Sequence, residues 1–204
     1  LGPARSAGMA TVFLGANRNK RSVVLDVKRP EAREALLRLV EGADMFVHNV
    51  RLAKMEAMDL GPAAMLARNP ALVYGSMLGF GEDGPYAGRP AYDDVIQGMG
   101  GVAGAFLARD GEPQLMPGIV ADKTSALAGA SALMAAYVRR LRTGRGARVD
   151  VPMFETLASW SLLEHHYGDH FVPPAAEGAG YARMLSRWRR PHRTADGFVC
   201  LLPY

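Results

Sequence analysis

Residues 69–95 read NPALVYGSMLGFGEDGPYAGRPAYDDV, an apolar segment that runs directly into a long loop rich in glycine and proline. The β-branched and aromatic residues of 72–77 predict a buried strand. The loop carries a G-x-G-x-x-G pattern at residues 79–84 and ends in a tyrosine and two aspartates at residues 92–94. Two uses of such a loop compete: it binds a pyrophosphate, or it carries residues 92–94 to some other chemistry.

The glycine pattern is a poor match to a dinucleotide site. That fingerprint requires a helix that begins at its last glycine, because the helical N–H groups bind the pyrophosphate. Here Pro85 and Pro90 follow Gly84 closely, and we expect no helix of useful length at that point. An adjacent Glu-Asp pair in the loop also repels phosphate. The sequence therefore favours a turn-rich loop that delivers residues 92–94 to a site.

Strands and amphipathic helices alternate along most of the chain. This alternation predicts an α/β fold with a Rossmann-like, doubly wound parallel sheet, in which ligands bind at the carboxyl ends of the strands. The loop of residues 79–92 begins at such an end. The predicted strands are residues 22–27, 44–48, 72–77 and 148–151, and the predicted helices begin at Pro30 and span residues 62–68, 122–141 and 154–167.

The pattern weakens beyond residue 171, and only residues 194–202 then predict a turn followed by an apolar strand. We therefore expect part of a large Rossmann-like domain over residues 1–170, and a linker with the start of a small domain over residues 171–204. The chain begins in loop-like sequence without methionine and stops in a predicted strand. We expect a missing part at each end.

The composition is that of a soluble globular protein, with 204 residues of which 49% are hydrophobic and 22% charged. No window approaches the roughly 18 apolar residues of a membrane span, and the first residues lack the pattern of a signal peptide. The single cysteine, Cys200, excludes an internal disulfide and a cysteine-based zinc site, and it suits a reducing compartment. We expect a cytoplasmic protein without a membrane partner.

The chain is basic, with a net charge of +4, but its Lys and Arg residues are spread over several segments. The two dense clusters, residues 17–21 (NRNKR) and 183–193 (RMLSRWRRPHR), lack the aromatic platform or reading helix of a nucleic-acid binder. We expect no nucleic-acid partner. Residues 17–21 form either a solvated turn or a clamp for the phosphates of a small ligand, since arginine offers a planar pair of donors and lysine a mobile charge.

The histidine-rich run HHYGDH, residues 165–170, places His166 and His170 one helical turn apart, as metal ligands can be. Gly168 weakens a helix between them, and no glutamate stands where a metalloprotease base is needed. We therefore expect partly exposed histidines near a helix end and no bound metal.

Asp122 lies where the apolar residues 118–121 give way to a long predicted helix, with no other acid until Asp150. One interpretation is a structural N-cap. The other is a nucleophile, because the N–H groups and dipole of a helix start keep a carboxylate ionised, and an ionised carboxylate can attack an acyl carbon.

Taken together, these segments resemble the class III CoA-transferases, the family that includes formyl-CoA transferase and carnitine CoA-transferase and is related to α-methylacyl-CoA racemase. The matching segments occur in the order of the family and span nearly the whole chain. They are NRNKRSVVLD (17–26), ADMFVHN (43–49), residues 69–95, Asp122 with its helix, TGRGARVDV (143–151) and HRTADG (192–197).

The resemblance implies an enzyme that hands CoA from an acyl-CoA donor to a carboxylic acid, through covalent intermediates on the aspartate that aligns with Asp122. It also implies an interlocked homodimer with a Rossmann-like large domain, built from chains longer than this one. No metal is implied. The implied CoA contacts are Asn17, Arg18, Lys20 and Arg21 near the adenosine phosphates, and Asn49 after the second predicted strand.

Tyr92 bears on which branch of the family the chain resembles. The aligned position in the racemase branch is a histidine, and a racemase needs two bases that flank the α-carbon. Tyrosine titrates at about pH 10 in peptides and is a poor substitute. We therefore expect a transferase in which Tyr92 orients the acyl carbonyl and Asp93 holds the loop or the neighbouring backbone. A racemase-like or epimerase-like enzyme, and a non-catalytic fragment that only binds CoA, remain the alternatives.

Overall fold

The computed structural model describes residues 2–201, which form two compact units that divide between Leu36 and Leu37. The first unit contains helix α1, Thr11–Ala16, and the basic turn that follows it. Residues 22–26 have no regular structure and Val24 is 92% exposed, so the strand expected there is wrong. β-branched residues form a strand only where a neighbouring strand takes their hydrogen bonds, and no strand among residues 2–201 pairs with this segment.

The second unit is built on a parallel sheet with the strand order β1-β2-β3. The strands are β1, Met45–His48; β2, Val73–Leu78; and β3, Ala147–Pro152. Each lies within one residue of its predicted bounds. In the register of the sheet, Gly75 of β2 pairs with Val47 on one side and with Val149 on the other. The predicted α/β fold with a parallel sheet is confirmed.

Helices cover both faces of this sheet, as expected for a doubly wound fold. On one face, the side chain of Leu133 packs against Gly75 of β2. On the other, the hydroxyl of Tyr74 donates to the carbonyl of Leu60 at 3.0 Å. The helices are α2, Pro30–Glu41; α3, Leu52–Glu56; α4, Pro62–Arg68; α5, Asp93–Met99; α6, Val102–Asp110; α7, Val120–Thr143; and α8, Met153–Leu162.

The central strand β2 forms the middle of the core because it has a neighbour on each side and helices on both faces. Val73 and Tyr74 are fully buried, as is the preceding Leu72. Burial raises the pKa of Tyr74 to about 12, since its charged form is disfavoured away from water.

Buried Asn69 anchors the segment that leads into β2. Its Nδ2 donates to the carbonyls of Val40 and Ala43 at 2.9 and 3.0 Å, and its Oδ1 accepts the N–H of Ala71 at 3.0 Å. Two of these bonds go to carbonyls at and just beyond the end of α2, where the helix offers few partners of its own. Asn69 therefore joins the end of α2 to the start of β2.

Residues 93–110 form two helices, α5 and α6, that were not predicted from the sequence. Glycine lowers helix propensity, but burial of Ile96 and Val102 in a common cluster outweighs that loss. Gly101, with φ of +93°, turns the chain between the two helices. The predicted helix at 154–167 ends earlier than expected, at Leu162, and a short 3-10 helix spans Tyr167–His170.

The last part of the second unit is a hairpin of β4, His192–Arg193, and β5, Phe198–Val199. The strand predicted at 194–202 is thus shorter, and its end at residue 202 lies outside the described residues. His166 and His170 face each other with 3.0 Å between their Nδ1 atoms. Within residues 2–201, no three His, Cys, Asp or Glu side chains cluster as metal ligands, and none of the helices has the length and apolar character to cross a membrane.

Candidate functional site

A cleft of about 480 Å³ lies at the carboxyl ends of the three parallel strands. Asn49 reaches it just after β1, Gly79 just after β2 and Met153 just after β3. Open α/β sheets bind ligands at this end, and the volume lies within the range of about 300 to 1,000 Å³ typical of small-molecule sites. The cleft is therefore the candidate site of the second unit.

The cleft brings together four residues that the sequence predicted for the site. Asn49, Tyr92, Asp93 and Asp122 all line it, although they are widely separated along the chain. Asn49 comes from the end of β1, the pair 92–93 from the loop after β2, and Asp122 from the first turn of α7. The parallel sheet and the helix α7 create this grouping.

The loop of residues 79–92 reaches the cleft because two glycines allow close approaches. A Cβ on Gly79 would lie 2.5 Å from the Cβ of Ala91, and one on Gly81 would lie 2.7 Å from Oε1 of Glu155. The N–H of Gly81 donates to that same oxygen at 2.9 Å, which ties the loop to α8. These glycines thus serve the packing of the loop against itself and against α8.

Tyr92 immediately precedes α5 and has an extended backbone, with φ of −132° and ψ of 158°. Its side chain is 76% exposed and lines the cleft. A phenol in this position can donate a hydrogen bond to a bound ligand.

Asp93 is only 8% exposed, and both of its carboxylate oxygens accept hydrogen bonds. Oδ1 accepts the backbone N–H groups of Ala121 and Asp122 at 2.8 and 3.1 Å, and Oδ2 accepts Nε2 of Gln97 at 2.6 Å. A buried carboxylate needs such partners to offset its desolvation. Asp93 therefore holds the first turn of α7 from a position in α5.

Asp122 is the third residue of α7, and its exposed side chain lines the cleft. The cap position is occupied by Ile119, so the interpretation of Asp122 as the N-cap is wrong. The expected effect of the helix start is also reversed. Desolvation, followed by the charge of Asp93, raises the pKa of Asp122. A perturbed carboxylate in a cleft is a candidate reactive group.

The basic turn of residues 17–21 lies in the first unit, directly after α1. Nδ2 of Asn17 donates to the carbonyl of Phe13 at 2.9 Å, and Nζ of Lys20 donates to Oδ1 of Asn17 at 3.2 Å. Asn19 turns the chain with φ of +60°. The basic side chains Arg18, Lys20 and Arg21 are exposed. Their part in phosphate binding stays a prediction.

Two further residues line this cleft and were not predicted for it, and a third contacts Asp93 from outside the cleft. Arg51 and Arg89 line the cleft beside Asp122, and guanidinium groups suit carboxylate or phosphate ligands. Gln97 is fully buried and donates a hydrogen bond to Asp93, which lies four residues earlier in the same helix. That spacing places two side chains on one helical face, so recognition of α5 in the sequence is the signal that reveals Gln97.

Comparisons with known proteins agree with this fold. The whole chain, residues 1–204, matches the family model described as CoA-transferase family III. It is 32% identical over 208 residues to the probable fatty acyl-CoA transferase Rv3272 of Mycobacterium tuberculosis, covering 96% of this chain and 52% of that protein. It is 38% identical over 199 residues to succinyl-CoA:mesaconate CoA-transferase of Haloarcula hispanica, covering 94% and 49%.

Solved structures show the same similarity. A crystal structure of a CAIB/BAIF family protein from Brucella suis aligns with a TM-score of 0.77 at 32% identity, over 93% of this chain and 50% of that chain. A crystal structure of Rv3272 aligns with a TM-score of 0.68 at 32% identity, over 75% and 43%. The chain spans about half the length of the curated relatives named here.

Proposed function

Because the chain belongs to CoA-transferase family III, we propose that the intact protein moves CoA from an acyl-CoA to a carboxylic acid, with Asp122 as the nucleophile. The observation that carries this proposal is the position of Asp122 in a cleft beside Tyr92, Asn49 and two arginines. The names of relatives such as succinyl-CoA:mesaconate CoA-transferase support the same reaction class.

The first half of the reaction loads CoA onto the enzyme. The Asp122 carboxylate attacks the thioester carbonyl, the C–S bond breaks, and the acyl group becomes a mixed anhydride while CoA leaves as a thiolate. The thiolate then attacks the aspartyl carbonyl, which releases the donor carboxylate and leaves an aspartyl-CoA thioester. Dividing the reaction in this way retains the free energy of the thioester bond.

The second half reverses these steps with a different acid. The acceptor carboxylate attacks the aspartyl thioester and expels the thiolate, and the thiolate then attacks the acceptor carbonyl to give the new acyl-CoA and free Asp122. No proton is gained or lost, so the chemistry needs an ionised nucleophile and a polar wall but no general base. The exposed hydroxyl of Tyr92 can form part of this polar wall by donating a hydrogen bond to the acyl carbonyl.

We assign recognition of CoA to two places. Asn17, Arg18, Lys20 and Arg21 bind its phosphates, and Asn49 contacts CoA at the cleft. Arg51 and Arg89, which line the same cleft, offer charge-assisted hydrogen bonds to a carboxylate of the substrate or to a phosphate.

A second copy of the chain completes the enzyme in this proposal. Asp122 and Tyr92 are both exposed in the single chain, whereas covalent intermediates must be shielded from water. The interlocked homodimer that the resemblance implies supplies a covering surface. Helix α7 supports it, since one of its faces carries exposed apolar side chains suited to a protein contact. They are Leu127, Met134, Val138 and Leu141.

The proposal is tested by trapping the intermediate in the full-length protein. The protein is incubated with a panel of acyl-CoA donors, treated with hydroxylamine and digested for mass spectrometry. We expect a hydroxamate at Asp122. A hydroxamate on another acid, or no hydroxamate while turnover is intact, refutes the mechanism. Exchange of the α-proton with deuterated solvent, without transfer of CoA, identifies the racemase reaction instead.

A further inference from the structure

The start of α7 lacks a cap of its own. Ile119 stands at the cap position and has no side-chain acceptor for the first N–H groups. The preceding residues form two tight turns, in which the N–H of Gly118 donates to Met116 at 2.7 Å and the N–H of Val120 donates to Gly118 at 2.8 Å. The direction of the turn that carries Asp122 therefore depends on contacts with another element.

Gln97 of α5 makes three hydrogen bonds, two of them to the segment that precedes α7. Its side chain is fully buried. Nε2 donates to Oδ2 of Asp93 at 2.6 Å and to the carbonyl of Gly118 at 3.0 Å, while Oε1 accepts the N–H of Met116 at 2.9 Å. The partners determine which way the amide faces, because a carboxylate and a carbonyl only accept and an N–H group only donates.

Asp93 extends this constraint to the reactive acid. One oxygen is held by Gln97, and the other accepts the N–H groups of Ala121 and Asp122. Gln97 thus secures the loop before α7 directly and the first turn of α7 through Asp93. Because protein interiors are closely packed and their hydrogen bonds directional, loss of the amide displaces both.

We propose that Gln97 is a positioning residue that holds Asp122 in the geometry needed for attack on the thioester. The inference rests on the proposed function of Asp122. Gln97 is not among the described residues that line the cleft, so it acts through Asp93 and the segment of residues 116–118.

Two variants of Gln97 separate position from bulk. Gln97→Met has a similar volume and makes none of the three hydrogen bonds. Gln97→Glu retains the shape but sets a second carboxylate against Asp93 and against the carbonyl of Gly118. The matched control is Asn69→Leu, which also removes a buried amide with three hydrogen bonds. Asn69 precedes β2, at the opposite end of the sheet from the cleft.

In the full-length enzyme, both Gln97 variants should lower kcat by about 10- to 100-fold, with little change in KM for acyl-CoA. Asn69→Leu should lose stability and retain kcat. Hydrogen exchange gives a readout that does not depend on activity. The amides of Ala121 and Asp122 should exchange faster by about tenfold or more in Gln97→Met and at the wild-type rate in Asn69→Leu.

The outcomes distinguish this inference from the proposed function. Unchanged exchange at residues 121–122 in both Gln97 variants overturns the inference, and so does a loss of kcat no greater than that of Asn69→Leu. A wild-type enzyme that turns over without a hydroxamate at Asp122 refutes the proposed function. A labelled wild type with fully active Gln97 variants refutes only the positioning role.

Discussion

The carboxylate of Asp93 in α5 accepts the backbone N–H of Asp122 in the first turn of α7 at 3.1 Å. This hydrogen bond joins two acids that have different surroundings. Asp93 is buried and takes the hydrogen bonds of the helix start, whereas Asp122 is exposed to the cleft. Desolvation, together with the negative charge of Asp93, raises the pKa of Asp122. The contacts of Asp93 are therefore structural, whereas Asp122 is accessible to a substrate in the cleft.

Replacement of the nucleophile should abolish transfer. Asp122→Asn keeps the shape of the side chain but removes the charge that attacks the thioester, and kcat should fall by more than about 1,000-fold. The matched control is Asp94→Asn, an exposed acid in the first turn of α5, which should retain activity. Steady-state kinetics with acyl-CoA and an acceptor acid measure both. Substantial turnover by Asp122→Asn contradicts the assignment.

The same variant should reveal the raised pKa of Asp122 in the pH dependence of stability. A group whose pKa is higher in the folded state stabilises the protein below its unfolded pKa and loses that contribution as the pH rises through its folded pKa. The free energy of unfolding of the wild type should therefore fall relative to that of Asp122→Asn over the pH interval that begins at about pH 4, the ordinary pKa of aspartate, and extends above it. Urea titrations across this interval measure it, and the opposite trend counts against the raised pKa.

Loss of the basic turn should weaken binding of CoA more than it slows the chemistry. Arg18→Ala combined with Lys20→Ala should raise KM for acyl-CoA with little change in kcat, since each charge-assisted contact contributes about 1.5 to 3 kcal/mol. Arg5→Ala with Lys28→Ala is the control, because it removes the same charge from exposed positions in the same unit. Equal KM values for the two double variants would refute the assignment of phosphate binding to this turn.

A methyl group at Gly79 should displace the loop that carries Tyr92. The added Cβ comes within 2.5 Å of the Cβ of Ala91, so the loop must move and kcat should fall. Gly98→Ala is the control. No atom lies within 4 Å of its added Cβ, and the exchange should stabilise α5 by about 0.5 to 1 kcal/mol. Steady-state kinetics and thermal unfolding are measured for both variants. Full activity of Gly79→Ala contradicts the expected displacement of the loop.

The intact protein should be a homodimer. The exposed apolar face of α7, from Leu127 to Leu141, needs a protein surface to cover it, and separation of the chains should expose that face and cause unfolding. Sedimentation velocity at low micromolar concentration measures the species present. A folded monomer under these conditions contradicts the proposal.

Local sequence patterns were enough for the three strands of the sheet and for the long helix α7, because a buried strand and an amphipathic helix each leave a periodic pattern in their own residues. The joint match of several segments between residues 17 and 197 was also enough to indicate the family. The same reasoning failed at residues 22–27, where β-branched residues have no partner strand among those described. It also missed α5, because glycines lower the helix propensity of this segment and burial of its apolar residues stabilises the helix.

The sequence, through its resemblance to the family, predicted that Tyr92, Asp93 and Asp122 belong to one site, but only the tertiary structure decided which acid is buried and which is exposed in the cleft. Asp93 receives one hydrogen bond from Gln97 in its own helix and two from backbone groups 28 and 29 residues away, and the last two exist only after α5 and α7 pack together. Burial and the pKa of a carboxylate depend on such distant neighbours. Two aspartates of identical chemistry therefore acquire different surroundings, because the fold gives one its hydrogen-bond partners and leaves the other open to the cleft.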